Sequence, residues 1–208
     1  MAHIGEIHPE LDNHEDGKIR LDMGCGNKKQ AGWLGVDIRE VVSPHPDAEW
    51  NVKPDIQADI TKPLDMPDNY ADEIRGIHVI EHFWPWEVQR ILEEWVRVLK
   101  PGGTMALECP CLEKVMKLME VPQCPPNLTF WALYGDPRHE SPEMMHRWCY
   151  SAGQLQKLMT MAGLVEVHQE PARFHHPVRD MRLVGYKPVP APSVIVTDSR
   201  GEPLVNHG

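Results

Sequence analysis

The sequence contains no apolar run approaching the ~20 residues needed to cross a bilayer, so no membrane-spanning segment is expected. It has no lysine- or arginine-rich run either. With 21 basic against 31 acidic residues, the formal net charge is −10 with histidine neutral. Proteins that grip nucleic-acid backbones carry a basic stripe, whereas a chain this acidic repels a polyanion. The balance argues against a nucleic-acid partner and for a small or neutral one. The amino terminus, Met1-Ala-His-Ile-Gly-Glu6, lacks a basic stretch followed by an apolar one, so no secretory leader is expected. Cysteine is scarce, five in 208 residues, and odd in number; a chain this long buries a core without staples. Reduced thiols in a cytoplasmic protein are the expectation. No internal repeat is found, and nothing in the sequence speaks to oligomeric state.

What is present is a strand-and-loop pattern. Ile19-Arg-Leu-Asp-Met-Gly-Cys-Gly-Asn27 reads as a short apolar strand running into a glycine turn, and Trp33-Leu-Gly-Val-Asp37-Ile38 as a second strand ending on an acid. Glycine lets backbone approach a ligand closely, and a carboxylate at that place accepts two hydrogen bonds from ribose hydroxyls. The full Gly-x-Gly-x-x-Gly spacing of nicotinamide enzymes fails, because position 29 is lysine. Between Cys25 and Trp33 there are too few residues for the helix that normally joins parallel strands, so either that helix is cut to one turn or the connection is unusual.

Residues 1–17 are polar; His3, His8 and His14 share no ligand-pair spacing, and a mobile tail is expected there. A proline-broken loop follows Ile38. Residues 54–60 suit a third strand closing on Asp59, and 71–80 a fourth. Val88, Ile91, Leu92, Trp95, Val96 and Leu99 fall on one face of a helix expected over 86–100, stopped by Lys100-Pro-Gly-Gly103. A fifth strand at 104–108 leads into Cys109-Pro-Cys111. Residues 112–119 can form a short helix. The proline- and histidine-rich stretch 120–147 has no clear period and reads as a substrate-side insertion. Ser151 caps a further helix ended by Gly163, and 164–169 and 181–186 close as strands. The domain is therefore expected to span 18–187. A carboxyl-terminal tail, 188–208, has a possible hairpin at 194–198 and 202–205.

In order along the chain, Leu21-Asp-Met-Gly-Cys-Gly26, Gly35-Val-Asp37, Ala58-Asp59-Ile60, His78-Val-Ile-Glu-His82, Leu99-Lys-Pro-Gly-Gly103 and Ala162-Gly-Leu-Val-Glu166 resemble the class I S-adenosylmethionine-dependent methyltransferases. The truncated link after the glycine loop resembles a subgroup of small members. The resemblance implies an α/β fold: a Rossmann-like seven-stranded, mostly parallel sheet with helices on both faces and the last strand antiparallel. It implies S-adenosylmethionine as cofactor, lying across the carboxyl ends of the first strands. Asp22, Gly24, Cys25 and Gly26 would line its methionine part, Asp37 with Ile38 would meet the ribose, and Asp59 with Ile60 the adenine. His78 would approach the methionyl group and face the substrate.

The sulfonium already carries an excellent leaving group, so such an enzyme mainly aligns nucleophile, methyl and sulfur and excludes water. A base is needed only for an acceptor that arrives protonated. Glu81, His82 and His146 are the candidates for that role, His146 because the resembling subgroup places a histidine just before the late helix. Arg138, His139 and Arg147 are the expected substrate contacts. A nucleophilic Cys109 or Cys111 is the weaker reading, and the cysteine spacing gives no recognised metal site. The expected function is methyl transfer to an oxygen or nitrogen of a small-molecule or sugar-type acceptor. The alternatives are a non-catalytic cofactor-binding subunit, and aminopropyl transfer or cleavage of the same cofactor.

Overall fold

The computed structural model describes residues 16–27, 29–38 and 53–191. The expected tail histidines, the proline-broken loop after Ile38 and the hairpin at 194–198 and 202–205 lie outside the described residues. Seven strands form one sheet: β1 (Arg20–Met23), β2 (Leu34–Asp37), β3 (Ile56–Gln57), β4 (Ala71–Ile77), β5 (Leu99–Pro110), β6 (Val165–Glu170) and β7 (Asp180–Tyr186). Their order is β3-β2-β1-β4-β5-β7-β6. The first five pair in parallel, and β7 runs antiparallel to both β5 and β6, as the resemblance implied.

Register sorts the strand residues onto two faces, since side chains alternate and paired residues point the same way. Leu21, Met23, Val36, Ile74, Met105, Leu107 and Leu183 share one face and are buried. On it pack α1 (Val88–Val98) and α4 (Ala152–Met161), which bury Ile91, Leu92, Trp95, Leu155 and Met159. Trp95 is fully buried, and its indole N–H donates to the Ile60 carbonyl at 3.2 Å. It approaches so closely that a Cβ at Gly76 would stand 3.2 Å from its ring. Ser151 caps α4 through a capping box with Gln154, the start signal read from the sequence.

The opposite face is polar. Asp22 and Arg75 form a buried ion pair at 2.6 Å, Arg20 pairs with Glu73 at 3.1 Å, and Glu108 accepts the Arg173 and Phe174 N–H groups. The short link after β1 lies over this face. The described residues between β1 and β2 form turns without a helix. Trp33 stacks on the Arg75 guanidinium at 4.1 Å, and Phe174 lies over the same group at 5.2 Å. The link presses so tightly on β2 that a Cβ at Gly35 would meet Cys25 Sγ at 2.6 Å. Glycine is therefore required where the missing helix would have stood off.

Several boundaries differ from expectation: β3 is confined to Ile56–Gln57 within the expected 54–60, β4 ends at Ile77 short of residue 80, and β5 runs from Leu99 to Pro110 rather than over 104–108. α1 ends at Val98, and Pro101-Gly102-Gly103 lies inside β5 rather than after the helix. Proline cannot donate to the ladder, and the β4–β5 register shifts between Ala71 and Glu73. The stop signal is thus spent on a bend within a strand.

Candidate active site

The site gathers at the carboxyl ends of β1, β2 and β4, where open α/β sheets hold ligands. Gly24 leaves β1 with φ +71°, its N–H bonded to Val36 O at 2.8 Å. A Cβ there would stand 2.4 Å from Val79 Cγ2, so both conformation and space demand glycine. Asp37 closes β2 with its carboxylate turned toward this loop: Oδ2 accepts the Gly26 N–H at 2.9 Å and Oδ1 the Ile38 N–H at 2.8 Å. Ile38 itself is 55% exposed at the strand end.

The other residues expected around the cofactor are placed less simply. Asp22 is committed to Arg75 on the polar face. The Cys25 side chain is buried against β2, which raises its thiol to about 12; only its backbone is available to a ligand. Asp59 Oδ1 caps its own turn, accepting the Thr61 N–H at 2.9 Å and hydroxyl at 2.6 Å. Ile60 has its side chain in the core.

β4 ends in a dense polar knot. His78 adopts φ +52°, a left-handed backbone that aims its ring inward. Its Nε2 meets Asp180 Oδ2 at 2.9 Å and its Nδ1 meets Glu81 Oε1 at 3.0 Å. Burial alone would lower the imidazole, but the hydrogen bonds it donates to the two carboxylates raise it to about 9. It is thus an imidazolium clamped between two acids. Burial works to raise Glu81, and His78 overrides it, holding the carboxyl at about 2. Asp180 is pushed below the usual carboxylate range in the same way, helped by Arg179 at 2.7 Å. The ring expected to face substrate is instead spent on fixing Glu81.

Beyond that knot the three candidate bases meet. A 3-10 turn, Ile80–His82, carries Glu81 and His82, and the segment before α4 brings His146 beside them, with the His82 and His146 rings 4.8 Å apart and edge-on. Backbone bonds stitch the two segments: the Arg147 and Trp148 N–H groups donate to the Glu81 carbonyl at 2.8 and 3.2 Å. The Arg147 guanidinium donates to the His82 carbonyl and lies 5.2 Å over Trp84, which stacks on Trp86 at 4.8 Å. Burial lowers His82, favouring the neutral ring.

Arg138 and His139 sit apart, on the 3-10 turn Pro137–His139; Arg138 pairs with Asp136 at 2.5 Å and lies 4.5 Å over Trp131. α2 (Leu112–Met119) and α3 (Phe130–Tyr134) both precede this turn along the chain. Burial raises Cys109 far above an ordinary thiol and Cys149 to about 12, so neither offers a thiolate at neutral pH. Sequence reasoning missed Asp180, Arg75 and the exposed Trp84–Trp86 shelf. Their partners lie 102 and 53 residues away in the case of the first two, and no local signal marks them.

A family profile described as "Methyltransferase domain" matches residues 21–107, the stretch running from β1 through most of β5. Residues 21–107 thus match a methyltransferase domain. The chain's likeness extends to a probable S-adenosylmethionine-dependent methyltransferase of Mycolicibacterium smegmatis, 28% identical over 112 residues. That alignment covers 50% of this chain and 42% of the relative, so the chain matches less than half the length of that protein. Among solved structures, a SAM-dependent methyltransferase from Archaeoglobus fulgidus superposes with TM-score 0.54 at 16% identity, covering 88% of this chain and 91% of the other. One from Methanosarcina mazei gives TM-score 0.56 at 20% identity, covering 83% and 93%. These likenesses establish the fold of the methyltransferase domain. No helix among its described residues is long and apolar enough to cross a membrane.

Proposed function

We propose that this methyltransferase domain transfers the methyl group of S-adenosylmethionine to an oxygen or nitrogen of a small-molecule, sugar-type acceptor, in the cytoplasm. The observation that carries the cofactor half is the Asp37 carboxylate meeting the Gly26 N–H at 2.9 Å across the ends of β1 and β2. A ribose diol is recognised by such an acid, and the methionine part fits against the bare backbone of Gly24 and Gly26. Ile38 offers an apolar edge to the adenine, Asp59 keeps a second carboxylate oxygen for its amine, and Ile60 contributes through its backbone. Asp22 acts at one remove, by holding Arg75 and so the link that frames the loop.

The acceptor half rests on Glu81, His82 and His146. Both histidines direct Nδ1 at a backbone carbonyl, Met145 O at 3.3 Å and Ala132 O at 2.9 Å, which leaves Nε2 to accept a proton. In the reaction the acceptor O–H or N–H gives its proton to a neutral Nε2. The freed lone pair attacks the methyl carbon in line with the C–S bond, whose electrons stay on sulfur as the neutral thioether. The Trp84–Trp86 shelf and Arg147 form an acceptor wall suited to a ring face, with Arg138 and His139 at its outer rim.

Incubation of the protein with S-adenosylmethionine labelled in the methyl group and a cell extract tests this reading. Label is expected in a low-mass fraction and absent with His82→Ala. Label recovered in nucleic acid, or no transfer at all, would overturn the acceptor assignment.

A further inference from the structure

We infer that Glu81, His82 and His146 form a binding site for a divalent transition-metal ion such as Zn2+, Mn2+ or Co2+, with positions left open toward the acceptor. One ligand atom from each residue lies within 4.8 Å of the other two, and these are the residues that cluster in this way among those described. The inference deepens the proposed function, which uses the same residues as bases, but the metal site stands on geometry independent of methyl transfer.

Three observations carry it. First, each histidine has its Nδ1 occupied by a backbone carbonyl, Met145 O for His82 and Ala132 O for His146. This is the outer-shell arrangement that fixes a metal-binding imidazole, setting the tautomer and freeing the Nε2 lone pair. Second, Glu81 is 1% exposed, and its Oε2 has no hydrogen-bond partner. Its Oε1 is taken up by His78. A fully buried carboxylate oxygen facing two imidazoles calls for a cation, because leaving it unpaired costs more than an ordinary lost hydrogen bond. Third, the cluster is rigid. Glu81 O accepts two backbone N–H groups from the His146 segment, and His146 N–H is tied to Tyr134 O at 3.2 Å.

Two imidazole nitrogens and one carboxylate oxygen suit a borderline metal rather than Ca2+ or Mg2+, and they leave at least one coordination position vacant. With ligand bonds of about 2.1 Å, the donors of one ion stand roughly 3–3.5 Å apart, so the side chains draw in slightly on binding. Both histidines are half-buried, open enough for an ion to enter. With both Nε2 lone pairs taken by the ion, histidine could no longer act as the base it is in the metal-free site; the ion would instead coordinate the acceptor hydroxyl and lower its pKa, and the proton would leave to solvent. The alkoxide electron pair then forms the O–CH3 bond, and the C–S electrons remain on sulfur.

The test is titration of the tag-free, chelator-treated full chain with Co2+, read by visible d–d absorption and calorimetry. One ion per chain is expected. Affinity should fall at least about 100-fold in His82→Ala and in His146→Ala, since even outer-shell partners cost about 10- to 100-fold. Glu81→Gln should weaken it as well. His168→Ala, an exposed histidine on β6, should leave it unchanged. If either alanine variant fails to fold by circular dichroism, His82→Gln and His146→Gln replace it. Wild-type absorption no stronger than that of the His82/His146 double variant would overturn the site. S-adenosylhomocysteine binding is measured on the same samples. Cofactor binding without metal sinks this inference alone, whereas metal without cofactor binding sinks the methyltransferase reading and leaves the site standing.

Discussion

His78 sits just past the carboxyl end of β4, and its ring serves two buried acids. Removing it leaves Glu81 as an uncompensated buried charge, while Asp180 keeps Arg179 at 2.7 Å. His78→Ala is therefore expected to cost about 3–5 kcal/mol in urea unfolding. A change below 1 kcal/mol would mean that the clamp is not formed in solution. The pH dependence has a definite sign. The folded ring titrates at about 9 against 6.5 when unfolded, so its contribution is complete below 6.5 and is lost as pH rises through 9. Melting temperature should fall between those values in the wild type and stay flatter in His78→Ala. The carboxylates titrate far lower and do not act in that window. At this scale Glu81 and His82 were legible as residues at the end of the fourth strand, and His146 through the resemblance. The role of His78 was not legible, because the acid that captures it comes from β7, 102 residues on.

At the scale of elements, the connection from β1 to β2 distinguishes this fold. Its shortness was legible from the count of residues between Cys25 and Trp33. What covers the sheet in the helix's place was not, because cation–π contacts between Trp33 and Arg75 leave no periodic trace. Gly35→Ala would drive a methyl group into Cys25 and Lys29 Cγ, 3.1 Å away, and lift the link. A loss of about 1–3 kcal/mol is expected, together with weaker S-adenosylhomocysteine binding, since the displaced link carries Gly26. Unaltered ligand affinity would show that the link and the loop are uncoupled. Ser151→Ala removes the capping box of α4 and should cost about 1 kcal/mol, seen as a lower urea midpoint with cofactor affinity unchanged. The Pro-Gly-Gly stop was misplaced for a simple reason. A proline that ends a helix and one that bends an adjoining strand look alike in sequence, and only the ladder from β4 to β5 separates them.

For the molecule as a whole, the charge balance and the sheet act together. A helix-covered apolar face and a face of ion pairs under aromatic lids hold the strand ends in place, and the candidate site residues converge there. The acidic surface predicts no retention on a polyanionic column at about 50 mM salt, a condition under which nucleic-acid-binding proteins are held. In the proposed function the strand ends at Gly24, Gly26 and Asp37 embrace an adenosyl sulfonium. Calorimetric titration with S-adenosylhomocysteine tests it most directly. One site per chain with micromolar affinity, about −8 kcal/mol, is expected, abolished in a folded Asp37→Ala variant. No binding to the wild-type protein, or equal binding to the variant, would contradict it.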